Sequence, residues 1–249
     1  YTFKLLEKGY LFINALMTGF WLGVMGTKSL DAADELYYNS SLRYNGEDHN
    51  TSGLFQWEKK LIEKYFTKSN ELLLIAAGGG REVLALIDMG YKVDSYECNS
   101  QLVAAGNKLL KSRGLQQQIW VIPRNSAPPP TKLYDGIIVG WGAYSLIRSR
   151  NLRISFINNL KPLLIKNAPI MISFLTRKSD SKQDKIIAGV SNLFRKFRRV
   201  EKTQTGDKLI YEFVHSFTKE EIMTELKQSN FECLEYYDIE YGCAIAQMV

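Results

Sequence analysis

Residues 71–82, Glu-Leu-Leu-Leu-Ile-Ala-Ala-Gly-Gly-Gly-Arg-Glu, restrict the fold more than any other stretch of the chain. A continuous apolar run this short suits a strand covered on both faces. Glycines at its end let the backbone turn sharply and approach a ligand closely. Residues 81–89 then read as a helix stopped by Gly90, and residues 91–97 as a second strand ending in Glu97. Residues 99–113 read as a helix capped by Asn99 or Ser100 and ended by Gly114. Strands follow at 118–122, 134–140 and 168–175, with a proline-rich loop at 127–130 and a helix over 151–164. Strand and helix alternating at this spacing predict a parallel sheet with helices on both faces and right-handed crossovers.

The tail continues with a helix at 185–197 and a strand at 209–213. Thr218 and Glu221 form a capping box that opens a helix reaching Gln228. Two closing strands, 232–239 and 243–249, are separated by Glu240-Tyr241-Gly242, which allows an antiparallel pair at the end of the sheet. The expected fold is therefore α/β: a seven-stranded, mostly parallel, doubly wound sheet with its last strand antiparallel. It occupies residues 71–249 and follows an N-terminal helical extension, residues 1–70. In that extension Asp31 is expected to start a helix with acidic residues at its positive end, and residues 53–66 show a helical apolar period.

Hydrophobic residues at 45% and charged residues at 23% exclude disorder and low-complexity fibres. Three cysteines without a CxxC pair, and two histidines, exclude a disulfide framework and a zinc cluster, so no metal is expected. A reducing cytoplasm is the expected setting. The net charge of +6 includes a basic run, Arg195-Lys196-Phe197-Arg198-Arg199, which reads either as a solvated helix end or as a phosphate-binding surface. Residues 11–25 are apolar but shorter than the roughly 20 residues of a bilayer span. Ala15, Gly19 and Gly23 give that segment a small face that permits close helix packing. It is expected to be a buried helix, with a lid, a dimer contact or an interfacial segment as alternatives. Neither nucleic acid nor a membrane is an expected partner. A small-molecule substrate is, and a homodimer is compatible with the sequence.

The chemistry centres on the first two strands. Unpaired N–H groups at a helix start suit a phosphate or carboxylate. An acidic residue ending the next strand can accept hydrogen bonds from both hydroxyls of a ribose. Gly78 and Glu97 are 19 positions apart, near the roughly 20 of a nucleoside-binding βαβ unit. Val83 stands where a dinucleotide fingerprint needs a small residue, which disfavours NAD and FAD, and no Walker loop is present.

With these residues in place, the chain resembles the class I S-adenosylmethionine-dependent methyltransferase family over residues 70–249. Ala76-x-Gly78-x-Gly80-Arg81 matches its first motif, and Glu97 its ribose-binding acid. The resemblance implies S-adenosyl-L-methionine as cofactor and S-adenosyl-L-homocysteine as product. It implies a cofactor site of Ala76, Gly78, Gly80, Glu97, Cys98, Asn125 (near the adenine amino group), Gly140 and Trp141. The family's acid before the first glycine is Leu74 here, and its first glycine is Ala76, which still allows a tight turn if φ is negative. Backbone carbonyls at Ala76 and Gly140 then have to hold the methionine ammonium.

The resemblance further implies in-line transfer of a methyl group to a small-molecule nitrogen or oxygen nucleophile. Trp141 and Tyr144, just past the fourth strand, are placed to face the transferred methyl, or else to pack. The N-terminal helices of the family often form a lid, whose wall here has Tyr37, Tyr38, Tyr44, Phe55, Trp57 and Glu58 as candidates. For the aromatics core packing is the alternative, and for Glu58 a solvated carboxylate. An amine acceptor needs no general base, and a hydroxyl usually does. His215 and Tyr144 are candidates, with a structural role as the alternative for a lone histidine, and His49 has a weaker claim. The Asn/Asp-Pro-Pro-Tyr run of amino-group DNA methylation and the Pro-Cys nucleophile of cytosine C5 methylation are both absent. A binding or scaffold protein without turnover and a Rossmann NAD-dependent oxidoreductase are the competing readings.

Overall fold

The computed structural model describes residues 2–249. The N-terminal extension holds helices α1 (Thr2–Val24), α2 (Thr27–Ser40), α3 (Leu42–Asn45), α4 (Glu47–Asn50) and α5 (Gln56–Tyr65). Strand β1 (Glu71–Ile75), α6 (Arg81–Asp88), β2 (Lys92–Glu97), α7 (Ser100–Ser112), β3 (Ile119–Val121), β4 (Gly136–Val139), α8 (Arg150–Leu160) and β5 (Pro169–Thr176) follow. The chain closes with α9 (Lys182–Arg198), β6 (Asp207–Leu209), β7 (Phe213–Phe217), α10 (Lys219–Gln228), β8 (Phe231–Tyr237) and β9 (Gly242–Met248).

The continuous sheet runs β3-β2-β1-β4-β5-β9-β8, the seven strands expected. Strands β1 to β5 are parallel, and β9 is antiparallel to both of its neighbours. The last two strands form the expected antiparallel pair at the end of the sheet. Within it β9 lies inside, because Cys243-Ala-Ile-Ala246 is fully apolar and fully buried, whereas β8 carries the half-wet pattern of an edge. One strand differs from the sequence reading. The strand expected at 209–213 is instead the bend of a hairpin, β6–β7, joined to the end of β5 by Leu175↔Ser216 and Thr176↔Phe217.

Burial on both faces explains the apolar strands. Leu73, Ile75, Ile137, Val139, Ile170 and Ile172 point to one layer, with Phe156, Ile157 and Leu160 of α8 and Ile222 and Leu226 of α10. Leu72, Leu74, Ile138 and Met171 alternate to the other layer, against Trp57, Leu61 and Ile62 of α5, Val83 and Leu86 of α6, and Val103 and Leu110 of α7. Asn99 caps α7, its side chain accepting from the Leu102 N–H at 2.9 Å, and the Thr218–Glu221 capping box opens α10.

The helix of residues 11–25 lies against α9. A Cβ at Gly19 would stand 2.7 Å from the Ile187 carbonyl oxygen, and one at Gly23 2.9 Å from Phe194 Cβ, so the small face is what lets the two helices meet. Its other face leaves Ile13, Met17 and Trp21 exposed. No single helix among the described residues is long and apolar enough to cross a membrane. Helix α2 begins at Thr27, upstream of the start expected at Asp31, and has no acidic residue in its first turn. Asp31 and Asp34 are used otherwise: both pair with Arg124 and Arg148.

Candidate functional site

The loops after β1, β2, β3 and β4 open at one edge of the sheet and enclose a cleft of about 1040 Å³, counting its mouth. Ala76–Gly79, Glu97–Asn99, Ile122–Ser126, Val139 and Trp141 form its floor and sides. Tyr38, Tyr44, His49 and Asn50, from α2 to α4, roof it. The roof touches the glycine loop directly: a Cβ on Gly79 would lie 2.4 Å from the Asn50 side chain and 2.6 Å from the Tyr44 carbonyl oxygen. Asn50 is fixed there because its amide donates to the Tyr44 and Gly46 carbonyls at 2.9 and 3.0 Å. At the other end of the roof the Asn99 amide donates to the Asn39 side chain at 2.9 Å.

Glu97, buried at the end of β2, organises the floor. Its Oε2 accepts from the Gly78 N–H at 2.9 Å, and its Oε1 from Cys98 N–H at 2.7 Å and Asn99 N–H at 2.8 Å. Of roughly four acceptor positions on a carboxylate, the one remaining is on Oε2. One ligand hydroxyl can therefore bind without rearrangement, rather than the two expected. Gly78 has φ +54, and a Cβ there would meet nothing within 4 Å, so the bare glycine keeps the floor open.

Ala76 adopts φ +61, the left-handed region, and not the negative φ expected of an alanine. The reason lies next door. Gly140 passes so close that a Cβ on it would fall 2.2 Å from the Ala76 carbonyl oxygen. Ala76 lines the cleft, but Gly140 sits behind it, its own carbonyl accepting from the Ser173 hydroxyl at 3.2 Å. Gly80 is likewise not part of the cleft wall. It caps α6 at φ +99 and passes Gly106 of α7. Gly78, Glu97, Cys98, Asn125 and Trp141 do converge on the cleft. Leu74 is fully buried in the core and cannot supply a polar contact.

A buried ionic network braces the cleft from below. Arg81 donates to both oxygens of Glu58, at 2.7 and 2.8 Å, to Glu82 at 2.8 Å and to the Gly53 carbonyl at 2.9 Å. Glu82 also accepts the Trp141 N–H at 3.1 Å, tying α6 to the loop after β4. Burial raises the Glu58 carboxyl above the usual range, an effect that its Arg81 partner opposes. His49 is held below its usual pKa by burial and then by the charges of Arg81 and Arg43.

Several expected site residues lie elsewhere. Glu58 is 1% exposed, and its carboxylate is consumed by Arg81. Trp57 is in the core, stacked on Tyr237 and Tyr241. Tyr144 is fully buried, its hydroxyl donating to Glu225 at 2.7 Å. His215 is fully buried too, with Nδ1 2.6 Å from Asp207. Neither Tyr144 nor His215 reaches the cleft, so neither is placed to move a proton there. Tyr37 stacks on Tyr211 outside it, while Tyr38 and Trp141 line it. Arg124 and Glu82 line the cleft without any local sequence signal that marks them.

No protein-family model matches the chain, and no curated protein matches it. Solved structures do. An S-adenosylmethionine-dependent methyltransferase from Methanosarcina mazei superimposes with a TM-score of 0.61 at 19% identity, over 79% of this chain and 99% of that one. The sugar N-methyltransferase KedS8 from Streptoalloteichus gives 0.59 at 11% identity, over 83% and 91%. The [4+2]-cyclase SpnF gives 0.54 at 14% identity, over 74% and 59%. The order of the sheet, the antiparallel β9 and these superpositions together give the chain the class I methyltransferase-like fold.

Proposed function

We propose that the protein is an S-adenosylmethionine-dependent methyltransferase acting on a small-molecule acceptor. The observation that carries this reading is the pairing of an open glycine floor at Gly78 with a buried carboxylate, Glu97, that keeps one acceptor position on Oε2. A nucleoside fits that donor set. Glu97 would hold its ribose hydroxyl, and Leu102, Ile122 and Asn125, which line the same cleft, would hold its base. When bound, S-adenosylmethionine supplies a methyl group already activated on a sulfonium.

What this chain's residues do is bind, orient and exclude water. Orientation of this kind is worth roughly 7–11 kcal/mol of barrier. Trp141 offers a ring face to a sulfonium without competing as a nucleophile. With Leu74 buried, Glu82 takes the role of the carboxylate for the methionine ammonium. It lines the cleft, and only its Oε1 is engaged by Arg81 and the Trp141 N–H.

Calorimetry tests the reading. S-adenosylhomocysteine should bind with one-to-one stoichiometry and NAD should not. Absence of binding by S-adenosylhomocysteine overturns it. The cyclase superposition keeps a second reading in play, chemistry other than methyl transfer in the same cleft. Release of S-adenosylhomocysteine during turnover separates the two.

A further inference from the structure

Beside the cleft, and sharing Tyr38, Tyr44 and Trp141 as walls with it, lies a recess of about 330 Å³, counting its mouth, whose walls also include Tyr241 and Glu212. The rings form a chain, with centroids 5.2 Å apart for Tyr38–Tyr44, 6.5 Å for Tyr44–Trp141 and 5.6 Å for Trp141–Tyr241. Glu212 is delivered to this wall by the bend of the β6–β7 hairpin. Its Oε2 is buried without a hydrogen-bond partner, and among the described residues no Lys, Arg or His nitrogen lies within 4 Å of its carboxylate. The nearby cations are committed elsewhere. Arg124 pairs with Asp34 and Asp31, Arg81 with Glu58 and Glu82, and Arg43 lies over the Trp141 ring at 4.9 Å.

Glu212 is half-buried, and a carboxylate oxygen buried without a hydrogen-bond partner or a close counter-charge is unfavourable, while the aromatic faces around it attract a cation. A ligand ammonium satisfies both, whereas a neutral hydroxyl satisfies neither. We propose that this recess is the acceptor site and that it takes a primary or secondary amine, bound as its ammonium against Glu212. The assignment rests on the methyl-transfer reading above. The ammonium first gives one proton to the Glu212 carboxylate. The nitrogen lone pair then forms the new N–C bond as the methyl C–S bond breaks, and that bond's electron pair stays on sulfur. The products are a methylated ammonium, a neutral thioether and a protonated Glu212, which releases its proton to solvent. Burial, together with repulsion from Asp34, pushes the Glu212 carboxyl up to about 7, against the opposing effects of the nearby Tyr38 hydroxyl and the Arg124 charge. That value suits a group that takes and returns a proton near neutrality.

The test titrates the protein, saturated with S-adenosylhomocysteine, with benzylamine and with benzyl alcohol as its neutral counterpart. The amine should bind about tenfold tighter or more. Glu212→Gln should abolish that preference while leaving S-adenosylhomocysteine affinity unchanged. For the wild type, amine affinity should fall as the pH drops below 7, since Glu212 then protonates while the amine stays charged; Tyr37, Tyr38, Tyr44, Tyr241, Asp34, Arg124 and Arg43 are the other ionisable groups around the recess. Equal affinity for the two probes, a preference that survives Glu212→Gln, or no binding of the amine overturns the assignment. The wild-type comparison and its pH profile stand even if the variant fails to fold. Failure of S-adenosylhomocysteine to bind overturns the methyl-transfer reading instead, and the amine preference is then measured on the protein alone.

Discussion

The backbone N–H of Gly78 donates to Oε2 of Glu97 across 2.9 Å, so the end of β2 clasps the loop after β1 in the protein itself. Glu97 is thus a scaffold as well as the proposed ribose-binding group, and its removal has two readouts. Glu97→Ala should lower S-adenosylhomocysteine affinity about tenfold or more in calorimetry. It should also lower unfolding free energy by about 1–3 kcal/mol, because buried N–H donors lose their acceptor. A variant with unchanged affinity removes Glu97 from the site.

Gly140→Ala should disrupt the cleft from behind. The added Cβ would fall 2.2 Å from the Ala76 carbonyl oxygen, which belongs to the backbone and cannot swing aside. The loops after β1 and β4 must separate, and both melting temperature and S-adenosylhomocysteine affinity should fall. Normal values for both would mean that the two loops are free to move apart.

Ala76→Gly should do the opposite. Alanine at φ +61 is disfavoured by roughly 1–2 kcal/mol, and the extra unfolded-state freedom of glycine returns part of that gain. Urea unfolding should show a net stabilisation of about 0.5 kcal/mol. A destabilised variant would show that the strain is already relieved by neighbouring contacts.

Arg81→Met leaves Glu58, 1% exposed, without its counter-charge. Breaking a buried pair from one side costs about 3–5 kcal/mol. Adding Glu58→Met should recover part of the loss, because the stranded charge is gone. Chemical denaturation of the two single variants and the double variant gives the coupling directly.

Two carboxylates give stability opposite dependences on pH. Burial alone would raise Glu221, but Arg177, His215 and the Thr218 N–H hold it well below the usual range. Its native pKa is lower than its unfolded one, so it stabilises the fold above pH 4.5 and that support is lost as pH falls further. Glu212 is raised to about 7, so the native state holds the extra proton between pH 4.5 and 7 and stability declines as pH rises through that window. Glu212→Gln should flatten the decline on the neutral side while leaving the acid side intact in a pH series of unfolding curves.

The β1–α6–β2 unit was legible in the sequence because its signals are local: an apolar run, a glycine turn, the Asn99 cap and an acid at a strand end. The residues misplaced by sequence owe their positions to tertiary partners on other elements. Glu58 meets Arg81, Trp57 meets Tyr237 and Tyr241, Tyr144 meets Glu225, and His215 meets Asp207. Gly80 and Gly140 are conformationally required but face helix α7 and the Ala76 loop rather than the cleft. Tyr241 and Glu212 carry no local mark. One sits in the turn between the last two strands, and the other in a bend that the mostly apolar run Leu209-Ile-Tyr-Glu-Phe213 disguises as a strand.

The β6–β7 hairpin pairs with the tip of β5 through Leu175↔Ser216 and Thr176↔Phe217, and it is anchored by Phe217 in the main core and by Phe213 against α1 and α9, while its bend at residues 210–212 is free of the ladder. If the recess is the acceptor site, exchanging the bend at residues 210–212 should redraw its wall while leaving Glu97 and its three N–H bonds standing. Acceptor choice would then reside in a short replaceable bend, separable from the other half of the cleft.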